Sequence, residues 1–324
     1  MRMSSVLPLA ALLFAHGLVR PAPLAAQDGP GSTGATVLQL LAGSRAGALS
    51  GAYTAGSGDA DVLFYNPAGI AGLGAAASLS YQSHVEDIGV ATGAGAFRIG
   101  RVVLGASAIF LDYGEIEELR PDPAFGNQTG VATGNMLGAS EVAARVAAAL
   151  PLLADRLRLG AAVGLVSVDL AGVSRSTPLL DVGAQYDLPR VTIGAALRNF
   201  GGSLGGDELA EADLPTEARL GAALRLTTRE NLGAMIAADL VSELNEGGTG
   251  VVAGVEAGLV PTGTSRIGAV GRFGYNGTSG EDGLGAVQVG AGLSLGGFAV
   301  DYAWQNYDMF GSLHRFGVRW SRLP

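Results

Sequence analysis

From Ala76 onward the chain alternates apolar with small or polar residues, in runs of about ten, each closed by a turn signal. Leu157, Leu159, Ala161, Val163 and Leu165 share one face of such a run. Arg156, Arg158, Gly160, Ala162 and Gly164 share the other. Near the end of the chain, Val300, Tyr302 and Trp304 alternate with Asp301, Ala303 and Gln305. Phe316, Val318 and Trp320 alternate with Arg315, Gly317 and Arg319. Fourteen runs can be counted: 76–84, 89–99, 101–113, 138–150, 156–170, 177–187, 190–200, 214–226, 231–242, 250–260, 265–275, 283–295, 298–307 and 313–322. Each approaches the roughly 9–11 residues that a tilted strand needs to cross a bilayer, and the count is even. The run 139–150 is rich in helix formers, but strand phasing also works there, with Val142 and Val146 outward and Glu141 and Arg145 inward.

The connections sort by length. Long ones at 114–137, 201–213, 243–249 and 276–282 alternate with short ones at Gly100, 151–155, 188–189, 227–230, 261–264 and 296–297. Membrane barrels have short periplasmic turns and longer outer loops, and a soluble sandwich has no reason to sort its loops this way. The predicted fold is all-β: a transmembrane antiparallel up-and-down β-barrel of about 14 strands. Acidic residues such as Glu115, Glu117, Glu118 and Asp122 collect at the outer end, and Arg98, Arg101, Arg156, Arg158, Arg190 and Arg266 at the inner end.

One stretch does not repeat. Residues 41–73 are Gly-rich and close on Phe64-Tyr65-Asn66-Pro67-Ala68-Gly69. Asn-Pro disfavours helix at Asn66 and starts a turn. Asp59 is placed to start a short helix over 59–65. The inward-facing positions of the strands are often Gly or Ala, which leaves room for this stretch in the lumen. The chain therefore divides into a signal peptide at 1–27, a lumen or plug segment at 28–75 and a barrel at 76–324. The signal rests on Arg2, an apolar run at 6–14 and the Leu24-Ala25-Ala26-Gln27 site. Export together with a barrel pattern places the protein in a bacterial outer membrane, against lipid and lipopolysaccharide.

Composition narrows the remaining chemistry. Of 324 residues 52 are Gly, 48% are hydrophobic and only 15% are charged, too little charge for an ordinary soluble surface. There is no Cys, which excludes disulfides and thiolate metal sites. The net charge of −9 argues against a nucleic-acid partner. Ser312 and His314 are near in sequence but have no acid to orient the His, so a loop Ser and an interfacial His are expected. No catalytic residue, cofactor or metal is expected. Arg158, Arg198, Arg219, Arg272, Arg319 and Asp301 are expected to line the lumen, where mixed charge forms pairs that stiffen the wall.

Several motifs together resemble the PorV/PorQ family of outer-membrane proteins, whose wider relatives are FadL-like fatty-acid transporters. They are Ser44-Arg45-Ala46-Gly47, Ser50-Gly51-Ala52-Tyr53-Thr54-Ala55, Asp59-Ala60-Asp61 and Tyr65-Asn66-Pro67-Ala68-Gly69. Leu197-Arg198-Asn199-Phe200-Gly201, Leu214-Pro215 with Arg219-Leu220-Gly221, and the closing Val300-Asp301-Tyr302-Ala303 and Gly311-Ser312-Leu313-His314-Arg315-Phe316 add to it. The resemblance implies a barrel with its N-terminal segment in the lumen, where Arg45, Gly51 and Asn66, Pro67, Ala68 and Gly69 form a structural or gating motif. It implies an accessory of protein secretion of type IX kind, with secretion-system proteins or cargo as partners, or an outer-membrane structural component. The alternative it implies is a FadL-like channel for long-chain fatty acids or other hydrophobic small molecules.

Overall fold

A computed structural model of the chain describes residues 33–83, 88–126, 129–206, 209–227, 231–245, 247–261, 266–278, 286–306 and 311–322. The expected signal peptide at 1–27 lies outside them, as do His84 and Asn127.

The strands are β1 (Ala75–Ser83), β2 (Gly89–Ile99), β3 (Val102–Pro121), β4 (Gly130–Leu152), β5 (Leu157–Leu170), β6 (Val173–Asp187), β7 (Val191–Gly201), β8 (Ser203–Gly206), β9 (Leu209–Asp213), β10 (Glu217–Thr227), β11 (Leu232–Glu243), β12 (Thr249–Leu259), β13 (Ile267–Asn276), β14 (Val287–Leu295), β15 (Phe298–Asn306) and β16 (Ser312–Arg322). Fourteen of them form one closed antiparallel barrel in sequence order, with β1 pairing β16 to seal it. β8 and β9 form a separate hairpin on the outer side. All fourteen expected runs are barrel strands, 139–150 included.

Period-2 alternation places the side chains. On β5, Leu159, Val163 and Leu165 are exposed, whereas Arg158, Ala162 and Val166 are buried. The same split runs round the barrel, with Leu79, Leu220, Ile267 and Leu293 outward. So continuous an apolar exterior suits lipid and not water. Tyr81, Phe316, Tyr275 and Phe200 mark the outer rim of this band, and Phe97, Tyr186, Phe298 and Trp320 the inner rim. Such aromatic girdles sit at membrane interfaces. Among the described residues, no helix is long and apolar enough to cross a membrane.

Two of the expected outer loops contain regular structure. The segment 114–137 is largely an extension of β3 and β4, paired from Glu115↔Gly138 to Pro121↔Gly130. It stands beyond the barrel as an arm, because β2 stops pairing β3 at Asp112 and β5 stops pairing β4 at Ala139. The segment 201–213 contains the β8–β9 hairpin. The eighth barrel strand (β10) begins at Glu217 and not at Leu214, because Pro215 has no N–H to give to a ladder.

Candidate functional site: the filled lumen

Residues 33–74 run down the inside of the barrel. At the outer mouth Thr33 bridges Asp213, and the Gly34 N–H donates to the Asp213 carbonyl at 2.9 Å. At the inner end the Gly74 N–H donates to the Arg322 carbonyl at 2.9 Å. Between them lie short 3-10 turns (Thr36–Leu38, Ala60–Phe64, Pro67–Gly72) and one short helix, Ser44–Ala48. Val37, Leu38, Leu49, Tyr53, Val62, Phe64 and Ile70 are at most 2% exposed.

Wall glycines make the fit possible. A Cβ at Gly160 would lie 2.5 Å from the backbone of Pro67 and Ala68. One at Gly254 would lie 2.8 Å from Leu49, and one at Gly105 2.9 Å from Leu63. Gly183, Gly194, Gly274, Gly290 and Gly317 face Asn66, Thr54, Ser50, Ala48 and Ser44 in the same way. The inner wall is therefore shaped to accept the backbone of the segment.

Asn66 is fully buried, and its side chain serves three pieces of chain. Its amide donates to the carbonyls of Thr54 at 2.8 Å and Ala184 at 3.1 Å, and its Oδ1 accepts from the Ala68 N–H at 3.0 Å. Asn66 thus caps the Pro67–Gly72 turn, and Pro67 occupies a first-turn position where no N–H is needed. Ala68 and Gly69 are buried beneath it. Asp59 precedes the Ala60–Phe64 turn but does not cap it with its side chain. Its carboxylate instead accepts from Arg45 at 3.0 Å and from the Tyr53 hydroxyl at 2.7 Å.

The charged residues gather into three groups and a separate pair. In the first, Arg45 and Asp59 from the segment meet Glu256, Arg272, Asp301 and Arg319 from the wall. Arg45 pairs Glu256 at 2.7 Å, and Arg272 links Glu256 at 2.6 Å to Asp301 at 2.7 Å. Arg319 joins Asp301 and lies 3.5 Å from Asp59. Three cations and three anions balance, as a low-dielectric lumen requires. In the second, the Asp239 carboxylate accepts from the backbone of Tyr53 and Thr54 and from the Thr54 hydroxyl at 2.6 Å. Arg219 reaches the Gly51 carbonyl at 2.7 Å, and Arg198 pairs Glu217 at 2.9 Å. Arg198 and Arg219 each lie 5.6 Å from the Tyr65 ring. In the third, Arg145 pairs Asp181 at 2.8 Å and bonds Asn199. Arg158 pairs Asp187 near the inner end.

Asn199 also explains why two separated motifs belong together. Its backbone is left-handed, at φ 56°. Its N–H donates to Asp181, its amide to the Pro215 carbonyl at 3.1 Å, and its carbonyl accepts from Thr216. Sequence reasoning does not single out Asp181, Glu217, Asp239 or Glu256. Each is an ionisable residue at an inward phase of its strand, and that phase is the signal that marks them. His314 faces outward and meets the Tyr302 hydroxyl at 2.8 Å.

A cavity borders the segment, and an apolar depression lies in the barrel wall. At the outer mouth a cavity of about 220 Å³ is lined by Leu38 to Leu41 and by the tops of β10 to β13, with Gln82 and Gln305. An apolar depression of about 780 Å³ lies in the wall of β1 to β5. It is lined by lumen-facing Ala76, Ala96, Ala147 and Ala162 and by lipid-facing Phe97, Leu104, Val146 and Val163. On the lumen side of that wall, Gly160 packs on Pro67 and Ala68, and Gly105 on Leu63 and Ile70.

Solved structures share this architecture at low sequence identity. The toluene transporter TbuX of Ralstonia pickettii superposes with a TM-score of 0.56 at 16% identity, over 87% of this chain and 98% of that one. A Pseudomonas aeruginosa FadL homologue gives 0.55 at 11% identity, over 86% of this chain and 98% of that one. The toluene transporter TodX of Pseudomonas putida gives 0.52 at 12% identity, over 87% and 98%. The chain shares the fold of these three proteins. Neither family models nor curated proteins gave a match to the sequence.

Proposed function

We propose that the protein is an outer-membrane channel for hydrophobic small molecules, exported by a signal within 1–27, with residues 28–75 as its lumen segment. The observation that carries this is the apolar depression in the β1–β5 wall, directly outside the Pro67–Gly72 turn. Between the lipid-facing Phe97, Leu104, Val146 and Val163, the small Ala106, Ala148 and Ala161 back onto lumen-facing Ala96, Ala147 and Ala162, so the wall is thin there, and an apolar solute entering it loses no hydrogen bond. The axial path is filled by the segment, so a solute passes beside it or displaces it. The likeness to toluene transporters, and to a FadL homologue, supports the same reading. The PorV/PorQ resemblance also implies a secretion accessory, and among the described residues no feature of the lumen favours that role.

The test is uptake of labelled toluene by cells expressing the full chain in a strain lacking its own hydrocarbon channels. Uptake should exceed that of vector-only cells, and Ala106→Trp or Ala148→Trp, which fill the depression from the lipid side, should abolish the excess. Equal uptake with and without the protein would overturn the reading. So would full uptake by both tryptophan variants at equal barrel yield.

A further inference from the structure

The outer cavity has the wrong chemistry for a hydrocarbon. Its charged lining is Arg198, Arg219, Glu217 and Glu243, two cations and two anions. Gln82, Gln305, Asn276 and Thr278 add neutral donors and acceptors around them. Arg198 is 6% exposed, and its Nε has no hydrogen-bond partner among the described residues. The Ser50 hydroxyl, 1% exposed, has none either. An apolar guest would leave such groups unsatisfied, which is costly. An anionic guest would add a charge to a site whose charges already cancel. The remaining match is a neutral guest with several hydroxyls, able to donate and accept at once.

Size agrees. A volume of about 220 Å³ lies below the usual range of sites for drug-sized ligands and suits one pyranose-sized ring. The site is closed on one side by Leu38 to Leu41, and Val37 anchors this strap through its N–H to Glu141 at 2.7 Å. Among the described residues, exposed Gln39 and Thr278 leave it open to the outside.

We propose that this cavity is a binding site for a neutral polyhydroxylated group, either a free sugar or the sugar head of an amphiphile. The site goes beyond the channel reading and is separate from the apolar depression.

The full-length protein, purified in a sugar-free polyoxyethylene detergent, is titrated calorimetrically with D-glucose, octyl β-D-glucoside and decanoate. Binding of glucose and the glucoside alike identifies a free-sugar site. Binding of the glucoside alone identifies a head-group site. In either case Gln305→Leu should weaken binding about tenfold, the loss of one to two hydrogen bonds. Thr278→Trp, an exposed change that leaves folding intact, should block entry. Absence of binding by both sugar probes would overturn the proposal and leave a cavity that holds only water. Decanoate binding with the same dependence on Gln305 would overturn it too. Toluene uptake, measured separately, distinguishes this failure from failure of the channel reading.

Discussion

Arg45 of the lumen segment and Glu256 of β12 form a two-pronged ion pair, Nε to Oε2 at 2.9 Å and Nη2 to Oε1 at 2.7 Å. It is the most direct charged link between segment and wall, and both side chains are 13% exposed.

Arg45→Met leaves Glu256 and Asp59 short of one cation and should destabilise the folded barrel by about 3 kcal/mol. Glu256→Gln should also destabilise it. The double variant restores charge balance, so its loss should fall short of the sum by about 1–3 kcal/mol. Urea unfolding in micelles, read by the shift in gel mobility between folded and unfolded barrel, measures all three. Strict additivity would mean that the pair does not act as a unit.

The β3–β4 arm should respond to acid through Glu118. Glu118 accepts from Asn135 at 2.9 Å, Thr133 at 2.8 Å and Arg120 at 3.1 Å. Donation by Asn135, then by Thr133 and Arg120, pulls its carboxyl down from 4.5 to about 2. A carboxyl lowered in the folded arm holds the arm together above pH 4.5, and that contribution is lost as pH falls toward 2. Backbone NMR of the 115–136 amides should show the arm loosening across that window, and Glu118→Gln should flatten the transition. An arm equally ordered at pH 2 and pH 6 would refute this.

How far the architecture was legible depended on phase. The strands could be read because one outward face of Leu, Val and aromatic residues recurs every second position, as in Leu157 to Leu165. Asn66-Pro67 could be read as a turn because the dipeptide limits its own backbone. The partners of that turn could not. Thr54, Ala184 and Ala195 reach Asn66 from up to 129 positions away, and carbonyls carry no sequence signature. Asp59 shows the same limit: helix-start logic found its place, but Arg45 and Tyr53 decided where its carboxylate points. The arm was hidden because Glu115 to Arg120 lack an apolar face, and local bulges break their register. The sorted outer acids were legible, but nothing in sequence separates those bonded within the arm, such as Glu118, from those merely solvated.

The wall glycines allow the lumen segment to be tested without touching it. At Gly160 a new Cβ would lie 2.5 Å from Ala68 N and Pro67 C, so Gly160→Ala forces the Pro67–Gly72 turn off the wall. Overpacking of this kind costs about 1–3 kcal/mol. Gly271, on the lipid side of β13, has nothing within 4 Å of its added Cβ, so Gly271→Ala should change stability by less than about 0.5 kcal/mol. Both variants should still close the barrel, because neither glycine has a positive φ. The difference should appear in the segment: Gly160→Ala should raise amide exchange across residues 59–73 and across β5 only near the inner end. Gly271→Ala should leave both unchanged. If the two variants exchange alike, the glycine-lined wall is not what seats the segment.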